Sequence, residues 1–398
     1  MEKVVRVIDS IMGSGKTTWA INMMNAVDSA KRFIFVTPFL GEVERIISSV
    51  TNRNFKQPTH NADGTKLTSL KRLIEQGADI ATTHSLFELF DDETIRLIEM
   101  NGYTLILDEV VSPIELNTIS PSDIRTMLAM EYIEIVDNRI IWTDKLMNYE
   151  YGYYDTVKKL AQAGTLFFHR DHYLINTMSP KLFELFDTCY VMTYFFEASL
   201  MCYYFDLHSI GYELLAIENG ELVPRDVAKE DRVKYKALIN IYEGDYNKIG
   251  ADVNAFSRGW LGRQTDKELK TIKDRMYSYV KHITHAKSDE VIWTSLQDFQ
   301  SKFKGLGYTK GFLPCNARAT NEYSDRSTLM YSYNRYMNPI ERSFFQDNGV
   351  TVDEDKLALS DLLQWIWRSR IRRGEPINLF LPSSRMRKLL NAWLDGEI

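Results

Sequence analysis

A loop of small residues between a short apolar run at 4–8 and a helix predicted to begin near Thr18 constrains the fold more than any other feature. Such a strand–loop–helix unit points its backbone N–H groups at a phosphate. Lys16 can then reach the β and γ oxygens, and the Thr17 hydroxyl can bind Mg²⁺. A glycine-rich turn that merely starts a helix would explain the glycines, but it would leave the following Lys-Thr pair to chance. The predicted nucleotide-binding residues are Met12, Gly13, Ser14, Gly15, Lys16, Thr17 and Thr18. The strict pattern has glycine where this chain has Ser10.

Composition sets limits on the rest of the chain. Its 398 residues, 44% of them apolar, are enough for two domains of ordinary size. The three cysteines show no CxxC spacing, and the sequence has neither a secretory signal nor an apolar run of ~20 residues. These observations predict a soluble, cytoplasmic protein that is not associated with a membrane. A net charge of −6 argues against binding nucleic acid by bulk electrostatics, although a local basic surface can coexist with it.

The first half alternates predicted strands at 31–37 and 79–81 with predicted helices at 41–50 and 66–76. This alternation is typical of a parallel sheet with crossover helices, whose ligands bind at the carboxyl ends of the strands. Small hydroxyl residues at that edge could contact a nucleic-acid backbone, or they could simply cap the next helix. These candidate contacts are Thr37, Pro38, Thr82, Thr83 and His84.

A second apolar run, at 103–107, ends in two adjacent carboxylates. A solvated strand end would be the ordinary interpretation of such a pair. After a phosphate loop in the same α/β pattern, however, we expect Asp108 to hold Mg²⁺ together with Thr17. We expect Glu109 to orient and deprotonate the water that attacks the γ-phosphate.

The alternation fades at 110–188, which is rich in Tyr, Asp and Asn and has a helix-like patch at 121–130. We interpret this stretch as a helical or irregular insertion. Its closely spaced tyrosines could stack on bases, or they could be half-buried packing residues. These tyrosines are Tyr149, Tyr151, Tyr153 and Tyr154.

The order Met-Gly-Ser-Gly-Lys-Thr-Thr, Val-Thr-Pro, Ala-Thr-Thr-His, Leu-Asp-Glu-Val and Glu-Ala-Ser resembles motifs I, Ia, Ic, II and III of superfamily two helicases. It looks most like viral and phage helicases of the herpesvirus origin-binding type. The resemblance implies an α/β fold of two RecA-like domains with parallel sheets. The first domain would span 1–200, with 110–188 as its insertion, and the second would span 201–398. The resemblance also implies a linking role for Ala198 and Ser199.

The second half carries candidate motifs IV to VI. A predicted strand at 290–294, followed by a helix at 295–304, resembles motif IV, and another strand is predicted at 329–333. The stretch 316–321 occupies the place of motif V, so the resemblance makes Arg318 and Thr320 candidate nucleic-acid contacts. Its asparagines could also reflect ordinary loop chemistry.

A basic segment that precedes a predicted strand at 377–381 resembles motif VI. In the family, arginines of this motif cross the cleft between the domains and neutralise charge on the γ-phosphate. Gln364 and Arg368 keep the family spacing, but Ile371 stands where a second arginine is expected. Arg370 or Arg372 must substitute for it. A basic helix end near its own dipole is the alternative, and Arg385, Arg387 and Lys388 could extend the basic surface.

The resemblance implies an ATP hydrolase that uses Mg²⁺ and moves along nucleic acid, a helicase or translocase for which DNA is favoured over RNA but RNA stays open as the track. Its setting would be replication or recombination of a phage or virus in an infected bacterial host. Duplex opening could require a partner protein. Two alternatives remain. One is a nucleotide-gated nucleic-acid-binding regulator without unwinding. The other is a DNA-packaging ATPase, although the acidic nuclease cluster typical of that class is not evident after Ser199.

Overall fold

The computed structural model describes residues 4–60, 64–146, 148–150, 152–227, 230, 232–315 and 322–398. Contacts divide the chain into two units. The first runs to Ser10, then covers Gly15–Pro224 and Pro339–Val352; the second covers Ile11–Ser14, Arg225–Asn338 and Asp353–Ile398.

Sixteen strands are formed by the described residues. They are β1 (Val5–Asp9), β2 (Phe33–Thr37), β3 (Ile80–Thr83), β4 (Thr104–Asp108), β5 (Ile114–Leu116), β6 (Ile133–Val136), β7 (Arg139–Trp142), β8 (Leu166–His169), β9 (Tyr173–Thr177), β10 (Thr188–Thr193), β11 (Tyr212–Glu218), β12 (Glu221–Pro224), β13 (Ile239–Ile241), β14 (Val291–Thr294), β15 (Thr328–Tyr331) and β16 (Ile377–Phe380). The α-helices of the same residues are α1 (Lys16–Ala26), α2 (Leu40–Ser49), α3 (Lys66–Glu75), α4 (His84–Phe87), α5 (Asp92–Asn101), α6 (Pro121–Ala129), α7 (Asp155–Gln162), α8 (Lys181–Leu185), α9 (Leu200–Leu207), α10 (Arg232–Leu238), α11 (Arg258–Leu261), α12 (Asp266–Ser278), α13 (Gln300–Phe303), α14 (Pro339–Asp347), α15 (Glu354–Ile366) and α16 (Ser384–Leu394).

The main sheet of the first unit has the strand order β12-β11-β1-β10-β4-β2-β3. All neighbours pair in parallel except β12, which runs antiparallel to β11. Its central strands are apolar runs buried on both faces, as parallel sheets covered by helices require; β2, for example, is buried throughout. The predicted α/β class with a parallel sheet is therefore confirmed for this unit. The carboxyl ends of its parallel strands meet at one edge.

The segment after residue 200 completes this sheet, because β11 pairs in parallel with β1. The first unit therefore extends to Pro224, beyond the boundary predicted between residues 200 and 201. The sequence signal for this hairpin is Asn219-Gly220, the pair that connects β11 to β12. Both residues adopt a left-handed backbone, with φ of 53° and 87°. Two left-handed residues are typical of a type I′ hairpin turn.

The insertion contains a five-stranded antiparallel sheet of order β5-β9-β8-β7-β6, so its interpretation as helical or irregular was wrong. The predicted helix at 121–130 is confirmed as α6. Ser120 caps its N-terminus, because the Ser120 side chain accepts a hydrogen bond from the Asp123 amide. The strands have three to five residues each, too short for a clear period. The available signal was Asp137-Asn138, a second left-handed pair, with φ of 48° and 61°, between β6 and β7. Tyr151 lies outside the described residues.

The second unit contains a four-stranded, fully parallel sheet of order β13-β16-β15-β14. Three of its strands coincide with the runs predicted at 290–294, 329–333 and 377–381. The helix predicted at 295–304 is reduced to α13 and a preceding 3₁₀ turn. A second parallel α/β domain is confirmed.

The helix α14 belongs to the first unit, although the chain on both sides of it belongs to the second. Its Phe344 ring packs edge-on against Phe167 of β8 with centroids 5.6 Å apart, and Phe345 packs against Tyr203 of α9 at 5.8 Å. Local sequence patterns do not reveal this association, because it depends on packing between distant segments.

Polar contacts hold the same helix to the inserted sheet. His169 Nε2 lies 2.8 Å from Ser343 Oγ, and Arg170 donates two hydrogen bonds to Asp347, at 2.7 and 3.0 Å. The His169 Nδ1 atom is 3.9 Å from an Asp347 carboxylate oxygen, so the three residue types match a Ser-His-Asp triad. Ser343 is only 6% exposed and its hydroxyl donates to the Ile340 carbonyl, so the group acts as a structural anchor.

Candidate functional site

The loop between β1 and α1 has the geometry of an anion site. Gly13 and Gly15 adopt φ of 86° and 91°, a left-handed backbone that side-chain-bearing residues rarely adopt. The N-terminus of α1 has no side-chain cap among the described residues and no acidic residue in its first turn. Its first N–H groups therefore have no partner within the helix and are available to an anion.

Two side chains of this loop fit a phosphate group. Ser14 Oγ is buried and has no hydrogen-bond partner in the described part of the chain, and a phosphate oxygen would satisfy it. Lys16 Nζ donates to the Ser10 carbonyl, so the ammonium group is held at the loop. The residues present therefore fit a nucleotide phosphate.

Ser10, which stands in place of the usual glycine, has a structural role of its own. Its hydroxyl accepts a hydrogen bond from the Ile217 amide at 3.0 Å, and its amide donates to the Thr193 carbonyl at 3.1 Å. Ser10 thereby joins the end of β1 to β10 and β11. The departure from the strict motif strengthens the sheet around the loop.

The predicted carboxylates lie at the same sheet edge as the loop. One strand, β10, separates β1 from β4, which places the two strand axes about 10 Å apart at the usual spacing of neighbouring strands. Desolvation and the negative charge of Glu109 raise the pKa of Asp108 to about 7, while the positive charge of Lys16 opposes this shift. A bound cation would favour the ionised carboxylate.

The site can supply few protein ligands to a metal. The described residues contain no group of three or more His, Cys, Asp or Glu side chains that could hold an ion. Thr17 and Asp108 suit Mg²⁺, which keeps several waters and binds through one or two protein groups together with phosphates.

Glu109 adopts a left-handed backbone, with φ of 66°. This conformation is uncommon for residues other than glycine and costs on the order of 1–3 kcal/mol. The Glu109 amide donates to the Met192 carbonyl at 2.9 Å, so β10 holds the strained residue in place. Such strain is frequent at functional sites.

Two of the predicted nucleic-acid contacts bind Asp108 instead of facing solvent. The Thr37 hydroxyl donates to the Asp108 carboxylate at 3.4 Å, and His84 Nε2 donates to its carbonyl at 2.8 Å. Both residues are buried, as is Thr82. Of the five predicted contacts in this unit, Pro38 and Thr83 retain exposed surface.

Sequence reasoning missed two apolar side chains that follow directly. Phe39 is 44% exposed and Leu40 is 47% exposed, at the start of α2 and beside Pro38. The available signal was a pair of large apolar residues immediately after a strand-ending Thr-Pro. An exposed aromatic ring at this edge is a platform on which a base can stack.

Asp9 is the other residue that sequence reasoning missed. It is 1% exposed, and its carboxylate accepts hydrogen bonds from the Phe195 amide at 2.6 Å and the Phe196 amide at 3.1 Å. Phe195 is left-handed, with φ of 62°. Asp9 thereby fixes the turn before Ala198 and Ser199 to the end of β1.

The motif VI residues lie at the end of α15 and in the 3₁₀ turn after it. Gln364 donates to Ser360 at 3.3 Å within the helix, and Arg368 is 8% exposed. The Gln364 side chain is thus held by its own helix.

Contacts distinguish the two remaining arginines. Arg370 Nε donates to the Pro376 carbonyl at 2.6 Å, which commits its side chain to the local turn. Arg372 lies beside the glycine loop, since a Cβ added to Gly13 would be 3.4 Å from Arg372 Cγ. Gly13 and Arg372 both belong to the second unit.

Other predicted residues have different outcomes. Arg318 and Thr320 lie outside the described residues. Arg385 does not extend a basic surface, since it is buried and donates to Asp355 at 2.8 Å and to Asn334 at 2.9 Å.

Two family models match the chain. The model of the YonV C-terminal Rossmann-like domain matches residues 233–394, and that of the YonV middle domain matches residues 114–176. The SPbeta prophage-derived protein YonV of Bacillus subtilis (strain 168) is 42% identical over 413 residues, which cover 100% of both chains. The chain belongs to the YonV family. Within this family the antiparallel insertion is the middle domain, and most of the second unit is the Rossmann-like domain.

Two solved structures align with nearly the whole chain at low identity. The S. tokodaii Xpd4 structure is 12% identical with a TM-score of 0.47, covering 99% of this chain and 94% of that chain. The helicase MrfA bound to DNA and AMPPNP is 11% identical with a TM-score of 0.38, covering 99% of this chain and 48% of that chain. At these values the likeness assigns neither an activity nor a partner.

In the described part of the chain, the helices are all too short or too polar to cross a membrane.

Proposed function

We propose that this member of the YonV family is an ATP-dependent nucleic-acid motor, a helicase or translocase. One observation carries the proposal: Lys16 begins the uncapped helix α1 at the same sheet edge as Asp108 and Glu109, with only β10 between their strands. Phosphate binding and water activation require these groups in this arrangement.

The chain's own residues would act as follows. Lys16 exchanges the Ser10 carbonyl for the β and γ oxygens of ATP, while the N–H groups of the loop and α1 bind the other phosphate oxygens. Thr17 and Asp108 hold Mg²⁺, which supplies positive charge to the phosphates. Glu109 orients the attacking water and accepts its proton. Arg372 is the better candidate for neutralising the γ-phosphate, because Arg370 is engaged by Pro376.

The nucleotide site has a physical connection to the neighbouring surface. Asp108 is hydrogen-bonded by Thr37 and His84, and the chain next to these residues presents the exposed Phe39 and the half-buried Thr83. We propose that Phe39 stacks on a base. Movement of Asp108 when ATP binds would then be transmitted to that contact.

The biological setting is also part of the proposal. DNA is favoured over RNA as the track because of the motif resemblance to phage and viral helicases. Replication or recombination within a bacterial host is proposed because a relative matched over its full length is prophage-derived. The finer resemblance to helicases of the herpesvirus origin-binding type rests on the motif sequences alone.

The test is ATP hydrolysis by the purified protein, with and without single-stranded DNA, duplex DNA and RNA. We expect stimulation by one nucleic acid, and loss of activity in Lys16→Ala and Glu109→Gln. Glu134→Gln, an exposed position on the inserted sheet, serves as a control that should retain the stimulated rate.

Hydrolysis that depends on Lys16 but is indifferent to every nucleic acid would refute the motor and leave a nucleotide hydrolase with another partner. Stimulated hydrolysis without strand displacement or translocation would favour the nucleotide-gated regulator. A DNA-packaging ATPase would require DNA translocation into a capsid.

A further inference from the structure

A cavity of about 370 Å³ lies in the first unit, between the α4–α5 region and the inserted antiparallel sheet. Its wall includes the buried or half-buried side chains of Phe87, Ile95, Leu160 and Leu182. This volume falls within the range of small-ligand sites, which combine apolar walls with a few polar groups.

The charged side chains of this cavity are acceptors. Glu88, Asp92 and Glu115 are exposed carboxylates, and the described lining contains no lysine, arginine or histidine. Asn176 Oδ1 also belongs to the lining; it is buried and has no hydrogen-bond partner among the described residues. A cation that carries N–H donors complements this set, whereas a phosphate would be repelled.

A wider groove of about 1130 Å³ adjoins the cavity and shares Asp92, Ile95 and Thr165 with it. Its charged lining residues have both signs and, besides Asp92, comprise Arg96, Arg139, Lys181, Glu99, Glu184 and Asp187. A uniformly negative nucleic-acid strand does not match this mixture. A free amine would leave the groove empty, whereas a polypeptide main chain with polar side chains fits it.

We propose that this cavity binds the arginine or lysine side chain of a protein partner, whose main chain follows the adjoining groove. The aliphatic stem packs against the apolar wall and the charged head reaches the rim, the arrangement that long basic side chains adopt at mixed surfaces. Glu115, an exposed carboxylate of the lining, accepts N–H groups of the head. This site is separate from the proposed nucleotide chemistry and requires neither ATP nor nucleic acid.

The first experiment titrates the full-length protein, labelled at isoleucine methyl groups, with n-butylguanidinium and with its neutral isostere n-butylurea. The Ile95 and Ile114 methyl signals report on the cavity, and the Ile272 signal, in the second unit, is the internal reference. We expect the guanidinium ion to move the two cavity signals with an affinity about five-fold or more above that of the urea.

The second experiment compares the capped peptide Ac-Ala-Leu-Arg-Leu-Ala-NH₂ with its citrulline counterpart by the same signals. The arginine peptide should bind more tightly, and Glu115→Gln should weaken it about three-fold. Glu134→Gln removes an exposed carboxylate of the same inserted sheet outside the cavity and should leave binding unchanged.

Equal affinities for the charged and neutral probes, or no movement of the cavity signals, would overturn the proposal. So would equal weakening by Glu115→Gln and Glu134→Gln. Displacement of the peptide by a thymidine decamer would assign the groove to nucleic acid, and displacement by an equal concentration of spermidine would assign it to a free polyamine. Both would overturn a protein partner. These outcomes are independent of ATP hydrolysis.

Discussion

Replacing Asp9 tests whether the end of β1 fixes the turn that follows β10. The Asp9 carboxylate is 1% exposed and accepts two backbone hydrogen bonds, from the amides of Phe195 and Phe196. In Asp9→Ala both amides lose their acceptor inside the protein. An unsatisfied buried group costs about 1–3 kcal/mol, so we expect a local destabilisation of about 3 kcal/mol, after allowing for water that enters the space.

Hydrogen exchange measured by mass spectrometry over residues 193–199 reports this change locally. A loss of about 3 kcal/mol corresponds to roughly 150-fold faster exchange of the protected amides. Asp28→Ala is the matched control, because Asp28 also accepts a backbone hydrogen bond, from Ala30 at 2.8 Å, but in an exposed turn. We expect that variant to leave exchange over 193–199 unchanged. Exchange in Asp9→Ala within about three-fold of the parent protein would refute the reasoning, since that ratio is well under 1 kcal/mol.

Three further predictions concern other elements. Phe39→Ala should weaken single-strand binding by about 1–3 kcal/mol in a fluorescence anisotropy titration, whereas Tyr173→Ala, which removes an aromatic ring 41% exposed on β9, should not; equal effects would contradict base stacking at Phe39. Burial lowers the folded-state pKa of His208 to about 4, so the unfolded chain binds the extra proton first and stability falls as pH drops from about 6.5 through 4. Allowing for partial solvent exposure, urea unfolding should show a loss of about 1 kcal/mol between pH 7 and pH 5 that His208→Phe removes, and an unchanged slope in that variant would disprove the assignment. Gly220→Ala should cost about 1 kcal/mol, because Gly220 has φ of 87° in the β11–β12 turn; the unfolding midpoint checks this, and an unshifted midpoint would contradict it.

Local signals in the sequence were sufficient for much of the fold. The glycine loop before α1, the apolar strands and the helix starts depend on interactions within a few residues. The predicted first strand and the predicted helix at 66–76 accordingly appear as β1 and α3. Lys16 follows β1 and Asp108 ends β4, and both residues lie at the same edge of the parallel sheet.

Parts of the site depended on contacts between distant segments. Thr37 and His84 had the right position for surface contacts, but the packing around Asp108 buries both. Arg370 and Arg372 were equivalent in the sequence until the Pro376 carbonyl and the Gly13 loop distinguished them.

The sequence by itself determined the class of the fold and the left-handed glycine loop before α1, because strand periodicity and a glycine's left-handed backbone are properties of neighbouring residues. Tertiary structure decided that 212–224 completes the first sheet, that the insertion is an antiparallel sheet and that α14 belongs to the first unit. These features are pairings between segments far apart in the chain. Their free energy comes from shared burial and cross-strand hydrogen bonds, which no single segment encodes.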